Sequence, residues 1–167
     1  LAAAKHVELK GATATILAGT GPVGQRAARL LVRQGATVRL ASRTLQKAEE
    51  ACQAIRGRVP DARLQPAATA SADDIAKAVA GVQIVIAAGA AGIQLLSAAV
   101  LKQATSLQVA IDLNAVPPLG IEGIEVMDKA KVRSGVLCYG AIGVGGTKMK
   151  IHRAALDVSI PFHTAAG

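Results

Sequence analysis

From Gly11 onward, short runs of β-branched and aliphatic residues alternate with longer alanine-rich stretches. The apolar runs predict six strands: Thr13 to Ala18, Thr37 to Ala41, Arg63 to Pro66, Gln83 to Ala88, Gln108 to Leu113 and Gly135 to Cys138. Between them, apolar positions recur at helical spacing over Pro22 to Gln34, Leu45 to Arg56, Ala72 to Ala80 and Gln94 to Ala104. Pro66 closes the third strand, because proline cannot donate to a ladder. A last helix over Thr147 to Ile160 places Ile151, Ala154, Ala155 and Val158 on one face. Strands separated by single helices need crossover connections, so the chain reads as α/β: a doubly wound, mostly parallel sheet.

A sheet of this kind, in the order 3-2-1-4-5-6, brings the carboxyl ends of its strands to one edge, where ligands bind. The loops on that edge are Gly19 to Gly24, Ser42 to Thr44, Ala88 to Gln94 and Asn114 to Gly120. The first of them, Gly19-Thr20-Gly21-Pro22-Val23-Gly24, follows a strand and opens a helix, the context in which a GxGxxG turn cradles a dinucleotide pyrophosphate. Gly19 allows the tight turn, Gly21 lets phosphate approach the backbone, and Gly24 lets helix and strand come close. Pro22 falls at the first helical position, where a missing N–H costs nothing. The remaining free N–H groups and the helix dipole face the phosphates. The fold is therefore a Rossmann-type dinucleotide-binding domain.

The end of the second strand selects the dinucleotide. A bare ribose 2′-hydroxyl calls for a carboxylate about twenty residues past the glycines, whereas a 2′-phosphate calls for hydroxyl and cationic donors. This chain has Ser42-Arg43-Thr44 there and no Asp or Glu. Ser42 can donate to a phosphate oxygen, Arg43 can pair with the dianion, and Lys47 lies one turn further on. The site predicts NADP, with NAD still possible. The bland alternative makes Arg43 and Lys47 solvated charges and Thr44 an N-cap.

On the nicotinamide side, Ala88 and Gly89 open a small-residue loop in which bare backbone can face the ribose, or which can simply be packing. Asn114 is a candidate for the ribose or carboxamide, and Asp112 for a strand-end acceptor. The glycine-rich stretch from Gly140 to Gly146 has the freedom to close over a ligand, with Lys148 as a candidate contact.

Composition narrows the rest. The net charge of +8 points first to polyanions, yet the cations form no long run, and one tyrosine and one phenylalanine give no base-stacking platform, which leaves no nucleic-acid partner. The cluster Arg39, Arg43 and Lys47 is the local exception. No apolar stretch reaches the ~18 residues of a membrane span, and no leader pattern is present. Cys52 and Cys138 lack metal or CxxC spacing and read as buried thiols of a cytoplasmic protein. His6, His152 and His163 fall in flanking segments, away from the ligand edge. Neither a metal spacing nor a paired acid–base constellation is present, so catalytic residues stay unassigned. The division is 1–10 as a helix end or linker arriving from a preceding domain, 11–146 as the NADP-binding domain and 147–167 as a carboxy-terminal helix and tail.

The segments LAGTGPVGQRAARLL, LASRT, AAGAAGIQLL, DLNAVPPLGIEGI and YGAIGVGGTKMKIHRA together resemble the bacterial NAD(P)-dependent methylenetetrahydromethanopterin dehydrogenases over nearly the whole chain. The resemblance implies hydride transfer from a methylene-tetrahydropterin, of methanopterin or folate type, to NADP+ in one-carbon metabolism. It also implies an amino-terminal domain that shapes the pterin cleft and a homo-oligomer in the complete protein. Two rivals are a shikimate-dehydrogenase-like NADP domain, against which the Asp112 to Gly120 segment speaks, and a non-catalytic NADP-sensing module.

Overall fold

The computed structural model describes residues 2–144. Strands β1 (Thr13–Leu17), β2 (Thr37–Ser42), β3 (Leu64–Ala68), β4 (Ile84–Ala87) and β5 (Val109–Asp112) alternate with helices α1 (Pro22–Arg33), α2 (Leu45–Arg56), α3 (Ala72–Val79) and α4 (Ala98–Gln103). A hairpin of β6 (Lys129–Arg133) and β7 (Val136–Tyr139) follows. The sheet runs β3-β2-β1-β4-β5-β7-β6, parallel throughout except where β6 meets β7. The doubly wound α/β fold predicted from the pattern is the observed one, and its reversal of strand order lies between β1 and β4.

Strand residues alternate between two packed layers because successive side chains point to opposite faces. Ile16, Leu40, Ile86 and Ile111 meet Ala28 and Leu31 of α1 and Cys52 and Ile55 of α2. Leu17, Val85, Ala110 and Cys138 meet Val79 of α3 and Leu101 of α4 on the other face. The alanines of the helices let them approach the sheet closely. Both cysteines are buried free thiols, and burial pushes the Cys138 thiol up to about 11.

Several boundaries differ from the expectation. β6 was not expected at all: three of its five residues are cationic, it pairs on one side only, and a register shift between Lys129 and Lys131, with Ala130 at φ 54°, breaks its alternation. The signal for it is Ser134-Gly135, the two-residue loop whose positive φ values of 49° and 80° suit a tight hairpin. β3 runs through Pro66 to Ala68, which an edge strand tolerates because no outer neighbour needs the missing N–H. α4 starts at Ala98, not Gln94. Ahead of it Leu96 bridges Ile121, the N–H groups of Leu95 and Leu96 donate to Gly120 at 2.8 and 3.0 Å, and Ser97 caps the helix by accepting from Val100 N–H. The first ten residues hold a single 3₁₀ turn, Ala3–Lys5, with Ala2, Ala3, Val7 and Leu9 buried in the core. The expected helix over Thr147 to Ile160 lies outside the described residues.

Two buried or half-buried polar side chains anchor α3 beneath the ligand edge. Thr15 donates to the Ala78 carbonyl at 2.5 Å, and Arg39 Nη1 donates to the Ala80 carbonyl at 2.7 Å, with Lys77 and Ala78 carbonyls nearby. A cation at a helix carboxyl end satisfies orphan carbonyls and opposes the dipole. Arg39 is thus removed from the cationic cluster that its spacing to Arg43 and Lys47 implied.

Candidate dinucleotide site

The turn after β1 shows three different reasons for its glycines. A Cβ on Gly19 would stand 2.6 Å from Leu40 Cδ1 and 2.9 Å from the Ile16 carbonyl. One on Gly24 would meet Gly19 Cα and O at 2.5 Å, so this glycine sets the distance between α1 and β1. One on Gly21 would meet nothing within 4 Å. Gly21 is the N-cap of α1, with Pro22 at the start of the helix, and its open side is the space a phosphate needs. The left-handed residue of the turn is not a glycine but Ala18, at φ 51°. Gln25 braces the turn from inside the helix, donating from Nε2 to the Thr20 carbonyl at 2.7 Å.

Across the edge, Ser42 closes β2 and is buried, while Arg43 and Lys47 are exposed and neither is in an ion pair among the described residues. Thr44 occupies the N-cap of α2 without a side-chain cap bond, so its hydroxyl is not committed to the helix. Thr20, Ser42, Arg43, Lys47 and Gly89 line one cleft of about 440 Å³ at the reversal of strand order. Thr69 and Ile75 form its far wall. Thr69 escaped the sequence reading because ending the third strand at Pro66 hid the loop that follows it. Its N–H donates to the Ser42 carbonyl at 2.8 Å, which fixes β2 and β3 at the same level.

The other predicted residues are placed differently. Ala88 is half-buried against the core, its N–H donating to the Leu17 carbonyl at 3.0 Å, and it does not line the cleft. Asn114 is buried, with its amide turned to the neighbouring loops. Asp112 is the strand-end acceptor expected, taking Asn114 and Ile121 N–H groups at 2.9 and 2.8 Å. Burial pushes its carboxyl up while those backbone donors hold it down. Lys148 lies outside the described residues.

The described start of the glycine-rich stretch does not behave as a hinge. A Cβ on Gly140 would collide with the Glu125 carbonyl, and one on Gly143 with the Asp128 carbonyl. These glycines exist for close packing, and the Ile142 and Gly143 N–H groups both donate to the Val126 carbonyl. The loop they dock on is held by Asp128, whose carboxylate accepts from Arg133 Nε and Nη2 at 2.6 and 2.9 Å and from Glu125 N–H. Arg133 holds the Asp128 carboxyl below the usual carboxylate range. His6 also departs from expectation: its Nε2 lies 2.6 Å from the hydroxyl of Tyr139, at the carboxyl end of β7, so it stands near the ligand edge. Among the described residues no His, Cys, Asp or Glu cluster is placed to hold a metal, and no helix is long and apolar enough to cross a membrane.

Comparison with known proteins fits this geometry. The chain is 44% identical over 150 residues to the bifunctional protein MdtA of Methylorubrum extorquens, a match covering 89% of this chain and 51% of that protein. It is 35% identical over 114 residues to the NAD(P)-dependent methylenetetrahydromethanopterin dehydrogenase of the same organism, covering 65% of this chain and 34% of that one. The chain thus spans about half the length of the first of these curated relatives and about a third of the second. In fold it is similar to the transhydrogenase of Sinorhizobium meliloti, with a TM-score of 0.61 and 24% identity over 83% of this chain and 39% of that one. It is also similar to the quinate dehydrogenase of Corynebacterium glutamicum, solved in complex with NAD, with a TM-score of 0.54 and 18% identity over 89% of this chain and 48% of that one. A family model described as NAD(P)H-binding matches residues 18–160, from the residue before the glycine turn to beyond the hairpin, and the chain belongs to that family.

Proposed function

We propose that this chain is the NADP-holding half of an oxidoreductase that takes hydride from a methylene-tetrahydropterin, leaving the methenyl form. The observation that carries the cofactor choice is the end of β2, where Ser42, Arg43 and Lys47 share a cleft with Thr20 and no carboxylate. A 2′-phosphate there would find the Ser42 hydroxyl and the two cations Arg43 and Lys47. The Gly21 N-cap and the first N–H groups of α1 would hold the pyrophosphate, with Gly19 and Gly24 keeping strand and helix close enough to present them. When bound, the nicotinamide ring supplies the carbon that accepts hydride. The chain's own part is positioning, and on the β4 side it is Gly89, at the cleft wall, that would face the cofactor.

The choice of a tetrahydropterin donor is supported by the relative of that name and by the resemblance carried by the Asp112 to Ile124 and Tyr139 to His152 segments. On this reading the pterin surface comes from a domain outside this chain, in a cytoplasmic homo-oligomer, and Lys148 is a further candidate contact for the cofactor. The complete protein, mixed with NADP+ and either methylene-tetrahydromethanopterin or methylene-tetrahydrofolate, should form NADPH, read by its absorbance. Absence of turnover with both carriers, in protein that binds NADP+, would contradict the donor assignment.

A further inference from the structure

The loops after β4 and β5 are joined into one hydrogen-bonded layer, and two buried side chains do the joining. Asp112 is fully buried at the end of β5. Its Oδ1 accepts from Asn114 N–H at 2.9 Å and its Oδ2 from Ile121 N–H at 2.8 Å, so one carboxylate fixes both ends of the loop between them. A Cβ on Gly120 would lie 2.9 Å from Asp112 Oδ1, which shows how tightly the loop closes on this group. Asn114, 6% exposed, then shapes the loop from within: its Oδ1 accepts from Val116 N–H at 3.0 Å. Its Nδ2 donates to the Pro118 carbonyl at 3.3 Å and, across the gap, to the Ala90 carbonyl of the β4 loop at 3.4 Å. Leu95 and Leu96 complete the layer through the Gly120 carbonyl.

A dinucleotide with its pyrophosphate at Gly19 to Gly24 and its 2′-phosphate at Ser42 and Arg43 points its adenosine half toward β2 and β3. Its other half then runs over β4 and β5, against this layer. We propose that Asp112 and Asn114 are positioning residues for the nicotinamide half of the cofactor, setting its height above the sheet by locking the β4 and β5 loops together. Both donor positions of the Asn114 amide are engaged by loop carbonyls, so Asn114 acts through the loops and not as a direct ligand. The inference rests on the dinucleotide reading above.

The test compares two ligands on the same chain by titration calorimetry: NADPH, and 2′,5′-ADP, which carries the phosphorylated adenosine without nicotinamide. For Asn114→Ala, the loss of the loop-bridging bonds is expected to weaken NADPH binding about tenfold, and 2′,5′-ADP, which meets only the part of the β4 loop that lines the Ser42 cleft, by no more than about threefold. Asp112→Asn keeps the shape but turns one acceptor into a donor facing backbone N–H, and it should show the same split with a larger NADPH loss. If Asp112→Asn fails to fold, Asn114→Ala decides alone. Equal weakening of both ligands, or no change in either, would overturn the inference, since a merely structural lesion does not distinguish the two halves of one cofactor. Equal affinity of the unaltered chain for the two ligands would also overturn it while leaving the 2′-phosphate site standing. Failure of the unaltered chain to bind either would remove the dinucleotide reading first.

Discussion

The two ends of the sheet are built by different means. At the β1–β2 end, the candidate site comes from residues close together in sequence: Gly19 to Gly24 form a single turn, and Ser42, Arg43 and Lys47 lie on one strand end and the helix after it. At the β5–β7 end, order comes from polar groups reaching across loops: the buried Asp112 to Ile121, Asn114 to Ala90 and Asp128 to Arg133, and the exposed His6 to Tyr139. The first end is held by shape, because it needs small residues where backbones touch. The second is held by hydrogen bonds that only pay when all partners are present. Lesions at the two ends should therefore differ in kind.

The largest effect should come from adding a side chain at the β1–β2 end. Gly24→Val places atoms where Gly19 backbone already stands, which should destabilise the chain by about 3 kcal/mol or more. Gly21→Ala meets no protein atom, and should leave the melting temperature nearly unchanged while weakening NADPH binding. Thermal unfolding of both variants beside an NADPH titration checks the pair. If the two glycines proved interchangeable in stability, the steric account of the turn would fail.

At the other end, Asp128→Ala removes a buried carboxylate from a half-exposed arginine and should cost about 2 kcal/mol in urea unfolding. The pH dependence gives a sharper reading. The Asp128 carboxyl is held below its ordinary value in the folded chain, so its contribution is present above the unfolded carboxylate range and is lost as pH falls through its lowered value. The Asp112 carboxyl is shifted upward, so folding favours its protonated form, and stability from this group rises as pH falls through its raised value. Unfolding of Asp128→Asn and Asp112→Asn as a function of pH should show changes of opposite sign. Changes of the same sign would contradict the environments described.

How much of this was legible depends on the same difference. Periodicity placed β1, β2, β4 and β5 and the glycine turn, because each is a contiguous signal with one physical cause. It missed β6, whose cationic residues satisfy an edge position and not a core, although Ser134-Gly135 marked its turn. It extended α4 back to Gln94, since nothing local shows that Leu95 and Leu96 find their backbone partners at Gly120 and Ile121. It grouped Arg39 with Arg43, because spacing along the chain does not reveal that α3 ends against Arg39 and engages its guanidinium through the Ala80 carbonyl. Asn114 was found as a residue that matters, but the direction of its amide was set by Ala90, distant in sequence.

A smaller effect follows from Ala18. An alanine at φ 51° carries strain that glycine avoids, so Ala18→Gly should stabilise the chain by up to about 1 kcal/mol in thermal unfolding. A destabilised variant would show that the Ala18 methyl contributes more in the cleft than its backbone conformation costs.

The end of β2 decides which dinucleotide the chain holds, and a titration of the chain with NADPH and NADH tests it directly. NADPH should bind more tightly by ~1–3 kcal/mol, and Ser42→Asp should reverse most of that difference by setting a carboxylate against the 2′-phosphate. Equal affinity for the two cofactors in the unaltered chain would contradict a 2′-phosphate site at Ser42, Arg43 and Lys47.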